Sequence, residues 1–196
     1  MGGKNIGFII LVFLFTTLAA FPQQKDTVVT KPPYFSLTLG TGLTHYIDNL
    51  DYGNQNLSKN FAGFSFRFLW EPEYWLSLGA ETGSYTMFKV KSPPGSSTTG
   101  DVTRRVTPMI LLVRMHIIDY IYLSTGFGLA FLTNISNDEA QKIVTNTTSL
   151  SNYLFSASYI YPLSKHWQLG VEAKVFDFGA YNDWMNSLQV FGTLRF

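Results

Sequence analysis

The chain has 196 residues, no cysteine and a formal net charge of +1, and only 14% of its residues are charged while 16% are aromatic. Ordinary soluble domains carry about 25% charged residues, so this composition leaves too little charge to wet the surface of a soluble domain. Near-neutral charge without a long basic stretch excludes nucleic acid as the natural partner, and an exported chain of this composition must hold together without disulfides.

The N-terminus reads as an export signal: Lys4 gives a positive start, and "IGFIILVFLFTTLAA" gives an apolar core ending in small residues. A membrane-anchoring helix is the rival, but the uncharged run from Ile6 to Phe21 is shorter than the roughly 18–20 residues a span needs. The expected organisation is a cleaved signal at residues 1–20, with the cut within 19–22. A short segment at 21–33 and one domain at 34–196 follow.

Strand-like alternation then recurs. "YFSLTLGTGLTHY" sets Phe35, Leu37, Leu39 and Leu43 on one face, and "FAGFSFRFLW" sets Phe64, Phe66, Phe68 and Trp70 opposite Gly63, Ser65 and Arg67. "YWLSLGAETGSYTMF" opposes Leu76, Leu78 and Ala80 to Ser77, Gly79 and Glu81. In "VTPMILLVRMHI", Met109, Leu111, Val113 and Met115 oppose Pro108, Ile110, Leu112 and Arg114. "YIYLSTGFGLAFL" opposes Leu123, Phe127, Leu129 and Phe131 to Ser124, Gly126, Gly128 and Ala130. "NYLFSASYIY" carries Tyr153, Phe155, Ala157, Tyr159 and Tyr161 on one parity, with Leu154 and Ile160 blurring the other. "WQLGVEAKVF" sets Leu169, Val171, Ala173 and Val175 against Gly170, Glu172 and Lys174, and "NSLQVFGTLRF" is the eighth segment.

The connections alternate in length. Long polar segments are expected at 47–60, 89–105, 133–151 and 177–187, and short turns around Glu71–Glu73, Ile118–Tyr120 and Pro162–His166. One loopy end and one tight end are what an up-and-down outer-membrane barrel shows, and an even strand count leaves both termini on the periplasmic side. The expected fold is therefore all-β, an eight-stranded antiparallel up-and-down transmembrane β-barrel in the bacterial outer membrane. Pro108 is expected at a strand start or a bulge, because a closed barrel has no free edge.

A soluble lipocalin-like barrel would turn the aromatics inward and leave Gly, Ser, Ala and Thr for its surface. The membrane reading turns the aromatics and leucines to lipid, so that Arg67, Glu81, Arg114, Glu172, Lys174 and Arg195 all fall on the lumen parity. An Arg or Lys facing lipid near the midplane costs about 2–4 kcal/mol, and the membrane reading makes no such error. Glu81 and Glu172 are expected to serve all four cations. Tyr34, Trp70, Tyr74, Trp75, Tyr122, Tyr161, Trp167 and Phe196 gather near the short turns, where an interfacial girdle belongs.

The signal "FIILVFLFTTLAA", the run "PMILLVRMHI" into "YIYLSTGFGLAFL", and the terminal "LQVFGTLRF" carry a family resemblance. The chain resembles the small eight-stranded outer-membrane β-barrels of Gram-negative bacteria, similar to OmpA/OmpX-like and PorT-like barrels. The resemblance implies that the last strand, with Leu194 and the final Phe196, is the signal read by the barrel assembly machinery. It also implies outer-membrane lipid as a partner.

Chemistry is sparse. His45, His116 and His166 sit in different segments with no metal-ligand spacing, and no catalytic, cofactor or metal site is expected. Lipid A deacylase barrels pair a histidine and a serine on one strand, but "TSLSNYLFSAS" has no histidine. The sequons at Asn56, Asn134 and Asn146 read as loop composition, and Tyr181, Trp184 and Met185 read as a loop cluster for a partner contact or for packing over the barrel mouth. Eight strands leave room only for side chains, so the leading expectation is a non-enzymatic scaffold. A lipid-modifying or lipid-binding barrel and a narrow channel are the alternatives.

Overall fold

Alternating apolar and polar residues, rich in aromatic and β-branched types, favour pleated strands. The computed structural model describes residues 34–47, 56–72, 75–91, 100–138, 142–178 and 183–196. The expected signal and periplasmic segment, Glu73, Tyr74 and Tyr181 lie outside the described residues. The strands are β1 (Tyr34–Ile47), β2 (Asn56–Ser58), β3 (Asn60–Glu71), β4 (Leu76–Lys91), β5 (Gly100–Ile118), β6 (Ile121–Asp138), β7 (Lys142–Pro162), β8 (Trp167–Phe178) and β9 (Asp183–Arg195).

Each long strand pairs antiparallel with its sequence neighbour, and β9 pairs with β1, which closes the sheet. Short β2 continues the stave of β3 and pairs with the end of β4, so there are eight staves. Closure removes the open edge, where each unpaired backbone group in lipid would cost several kcal/mol. At the seam, Phe35 and Phe196 exchange both backbone hydrogen bonds at 2.8 Å.

The parity expected for the two faces is the one observed. Leu188 and Val190 are 66% and 54% exposed, while Gln189 between them is 1% exposed. Trp70, Trp75, Tyr161, Trp167 and Phe196 face outward beside the short turns. Tyr34 and Tyr122 instead lie under arginines of the lumen, Tyr34 beneath Arg195 and Tyr122 beneath Arg114.

Two expectations about the strands are corrected. Most of the residues assigned to long loops are strand: β5, β6 and β7 run 19, 18 and 21 residues. A transmembrane strand needs only about 9–11 residues. Beyond the lipid neither face has to be apolar, so the ladder continues where the alternation stops. Pro108 lies inside β5, neither at its start nor at a bulge. The β4–β5 ladder skips Gly83–Ser84 opposite Thr107–Pro108 at constant register, while Pro108 still pairs with Ala130 on β6. A missing N–H costs one ladder bond on one side only. In addition, a register shift at Met87 flips the parity of β4, so that Met87 and Phe88 are both buried.

Candidate functional site

The lumen is the place where this chain concentrates buried charge. Arg67 on β3 sits directly opposite Glu81 on β4, and its Nε donates to Glu81 Oε2 at 2.7 Å. Its Nη2 crosses to β8 and donates to both carboxylate oxygens of Glu172, at 2.7 and 2.9 Å. Lys174, two residues along β8 on the same face, completes the ring by binding Glu81 and, at 3.3 Å, Glu172. Two cations and two carboxylates form a neutral quartet in which every member is at most 2% exposed. Buried ions need this pairing, because desolvation costs several kcal/mol per ion.

A second cluster lies toward the turn end. Glu71 accepts from Arg114 Nη2 at 2.8 Å through one oxygen and from Arg195 Nη2 at 2.5 Å through the other. Arg114 and Arg195 are thus served by Glu71, and the expectation that Glu81 and Glu172 serve all four cations is corrected. The sequence reading puts Glu71 in a turn. Continuing the parity of Gly63, Ser65 and Arg67 two residues past Leu69 would have put it in the lumen, because β3 runs to Glu71. Glu71→Gln should strand two guanidiniums. Breaking a buried pair costs about 3–5 kcal/mol, and the partial exposure of Arg195 reduces this here. The urea midpoint of Glu71→Gln should fall clearly below that of Asp101→Asn, which only loosens the half-exposed Lys89–Asp101 pair.

Between and above these clusters further side chains point into the lumen. Ser65 Oγ donates to Gln189 Oε1 at 2.7 Å, and the Thr38 and Thr193 hydroxyls meet at 2.8 Å. Toward the loop end an apolar core takes over, including Tyr46, Tyr85, Phe88, Leu132, Phe176 and Met185. The Tyr85 ring occupies space beside Gly63 and Gly83, where a Cβ would come within 3 Å of it. Above this core Arg104 lies over Phe88 and pairs with Asp183 at 3.6 Å.

The other singled-out residues are scattered. His45 bonds Asn60, His116 stacks on Tyr122 and contacts the Asp119 carbonyl, and His166 contacts the Arg195 carbonyl. Among the described residues no group of three His, Cys, Asp or Glu is placed to hold a metal ion. Asn56, Asn134 and Asn146 lie in strands, with Asn134 accepting from Arg104 and Asn146 from Thr133. Trp184 and Met185 belong to β9, Trp184 outward and Met185 in the lumen, so the expected loop cluster is a strand there. Leu194 pairs with Leu37 across the seam and with Trp167 on β8.

The structure is similar to that of Ail, the attachment invasion locus protein of Yersinia pestis, solved in complex with the heparin analogue sucrose octasulfate. The TM-score is 0.58 at 11% identity, covering 85% of this chain and 100% of that one. It is also similar to a major outer membrane protein from Thermus thermophilus, with a TM-score of 0.51 at 15% identity, covering 85% of this chain and 100% of that one. No protein-family model and no curated protein matches the chain. With eight closed antiparallel staves, an apolar outer wall and its buried charges turned inward, the chain has the fold of the small eight-stranded outer-membrane β-barrels.

Proposed function

We propose that the protein is a sealed, non-enzymatic barrel of the bacterial outer membrane that serves as an interaction scaffold through its loop end. The observation that supports this reading is the succession of buried side chains along the lumen: the Glu71 cluster, the Arg67–Glu81–Lys174–Glu172 quartet and the apolar core. Such a barrel carries no solute, and its exposed working surface is where the strands outrun the lipid. There β7 pairs with β6 from Lys142 onward, whereas its described pairing with β8 begins only at Asn152. Residues Ile143 to Thr148 are exposed along that edge, with no partner on the β8 side among the described residues, and such an edge offers a row of backbone donors and acceptors to a partner strand. Both termini lie on the periplasmic side in this reading, and Leu194 and Phe196 are read by the assembly machinery.

The barrel should fractionate with the outer membrane and migrate faster in SDS before boiling than after. In planar bilayers it should give no stepwise current. Material that stays in the soluble periplasm without a heat-dependent shift contradicts membrane insertion, and stable conductance steps contradict the sealed lumen. Shortening the β6–β7 ribbon by removing residues 136–143 should abolish capture of envelope proteins while the heat shift persists.

A further inference from the structure

The outer wall of the barrel is not uniform. On β4 the outward positions Ala80 and Thr82 are small, and bulky side chains flank them: Phe66 on β3, Met109 and Leu111 on β5, and Phe127 on β6. The ladders set this relief, since Thr82 stands between Phe66 and Met109, and Ala80 is paired with Leu111. The result is an outward groove of about 690 Å³.

Toward the loop end the same two strands change character in sequence. The outward side of β4 continues through Ser84 and Thr86 to Lys89 and Lys91, and that of β5 through Thr107 to Arg105. Among the described side chains, every Lys or Arg that a strand turns outward is one of Lys89, Lys91 and Arg105. The carboxylate beside them is Asp101, 3.3 Å from Lys89. Apolar groove, hydroxyls and cations therefore follow one another along a single line.

That line has the dimensions of one leaflet. A tilted strand crosses the hydrocarbon in about 9–11 residues, so a span that begins at Met115, near the turn end, finishes at Arg105. From Leu111 to Arg105 the strand rises roughly 20 Å. At a tilt of about 40° this is about 15 Å along the normal, half the hydrocarbon thickness. The line from groove to cations thus runs from near the midplane to the headgroup level, with the groove at its inner end and the cations at its outer end.

We infer that the groove and the cations above it form a binding site for a phosphate-bearing lipid of the loop-side leaflet. An acyl chain lies over Ala80 and Thr82 between the aromatic and aliphatic walls. The phosphate meets the Arg105 guanidinium, whose planar fork suits bidentate phosphate contact, with Lys89 and Lys91 beside it. The inference rests on the membrane-inserted reading above.

The test is native mass spectrometry of the full chain in detergent micelles, with dimyristoyl phosphatidic acid and phosphatidylcholine of the same chains as probes. Each variant is first checked for the heat-dependent shift, so failure to insert is separated from failure to bind. The wild type should bind phosphatidic acid at least tenfold more tightly than phosphatidylcholine. Replacing both Lys89 and Arg105 by Ala should erase that preference, Asp101→Asn should increase it by freeing Lys89, and Ala80→Trp should weaken both lipids by filling the groove. If Ala80→Trp does not insert, Thr82→Leu provides the same test with a smaller side chain. Equal affinity for the two lipids in an inserted wild type overturns the inference alone, as does a preference indifferent to Lys89 and Arg105. Binding of inorganic phosphate as tightly as the lipid, or a dimer that Ala80→Trp dissolves, overturns it in favour of a free anion or a second copy.

Discussion

Glu81→Gln should unfold in urea at a midpoint far below that of the wild type, with a loss of about 3–5 kcal/mol. The carboxylate holds both Arg67 and Lys174, and its removal leaves two buried cations sharing Glu172. The loss is large against the roughly 5–15 kcal/mol that holds a typical domain folded. Glu172→Gln should behave alike, because it leaves the same imbalance on Glu81. The control is charge balance: adding Lys174→Met to Glu81→Gln restores one cation per carboxylate and should recover part of the stability. Equal midpoints for Glu81→Gln and the surface variant Asp101→Asn would mean that lumen water screens the quartet.

Removing residues 194–196 should collapse outer-membrane levels in cells, the second large effect. These residues close the seam. Phe196 makes two backbone hydrogen bonds with Phe35, Leu194 pairs with Leu37 and Trp167, and Arg195 holds Glu71. Their loss opens ladder groups of β1 to lipid, where each costs several kcal/mol, and leaves Glu71 with Arg114 as its remaining described partner. Phe196→Ala keeps every backbone bond and gives up only the ring, about 2 kcal/mol of apolar contact, including its stacking on Phe35. It should still refold into detergent, with reduced assembly in cells. Normal assembly of the shortened chain, measured as heat-shifted protein in isolated outer membranes, would show that the seam can close without these residues.

The strand order, the closure and the outward face were legible because they depend on a period of two and on one energetic asymmetry. Placing Arg67, Arg114 or Lys174 toward lipid is expensive, so parity and charge together orient every stave. The lumen cations and two of their carboxylates were found this way. Glu71 was not, because strand ends are weakly marked where Pro72 follows and the alternation is broken. The loop end departs from its sequence expectation for the opposite reason. In β6 and β7, segments such as "TNISND" and "KIVTNTTS" resemble loops in composition, yet they pair residue by residue.

By itself, then, the chain determined a closed eight-stave barrel with its apolar parity outward, since those properties reside in local alternation and in the cost of charge in lipid. The tertiary structure decided which charges meet. Arg67 and Glu172 are 105 residues apart and belong to staves that are not neighbours, and only the curvature of the closed sheet carries one side chain across to the other. It also decided the line from groove to cations on β4 and β5. That line depends on the register of two ladders and on a parity flip at Met87, and neither leaves a periodic mark in the residues.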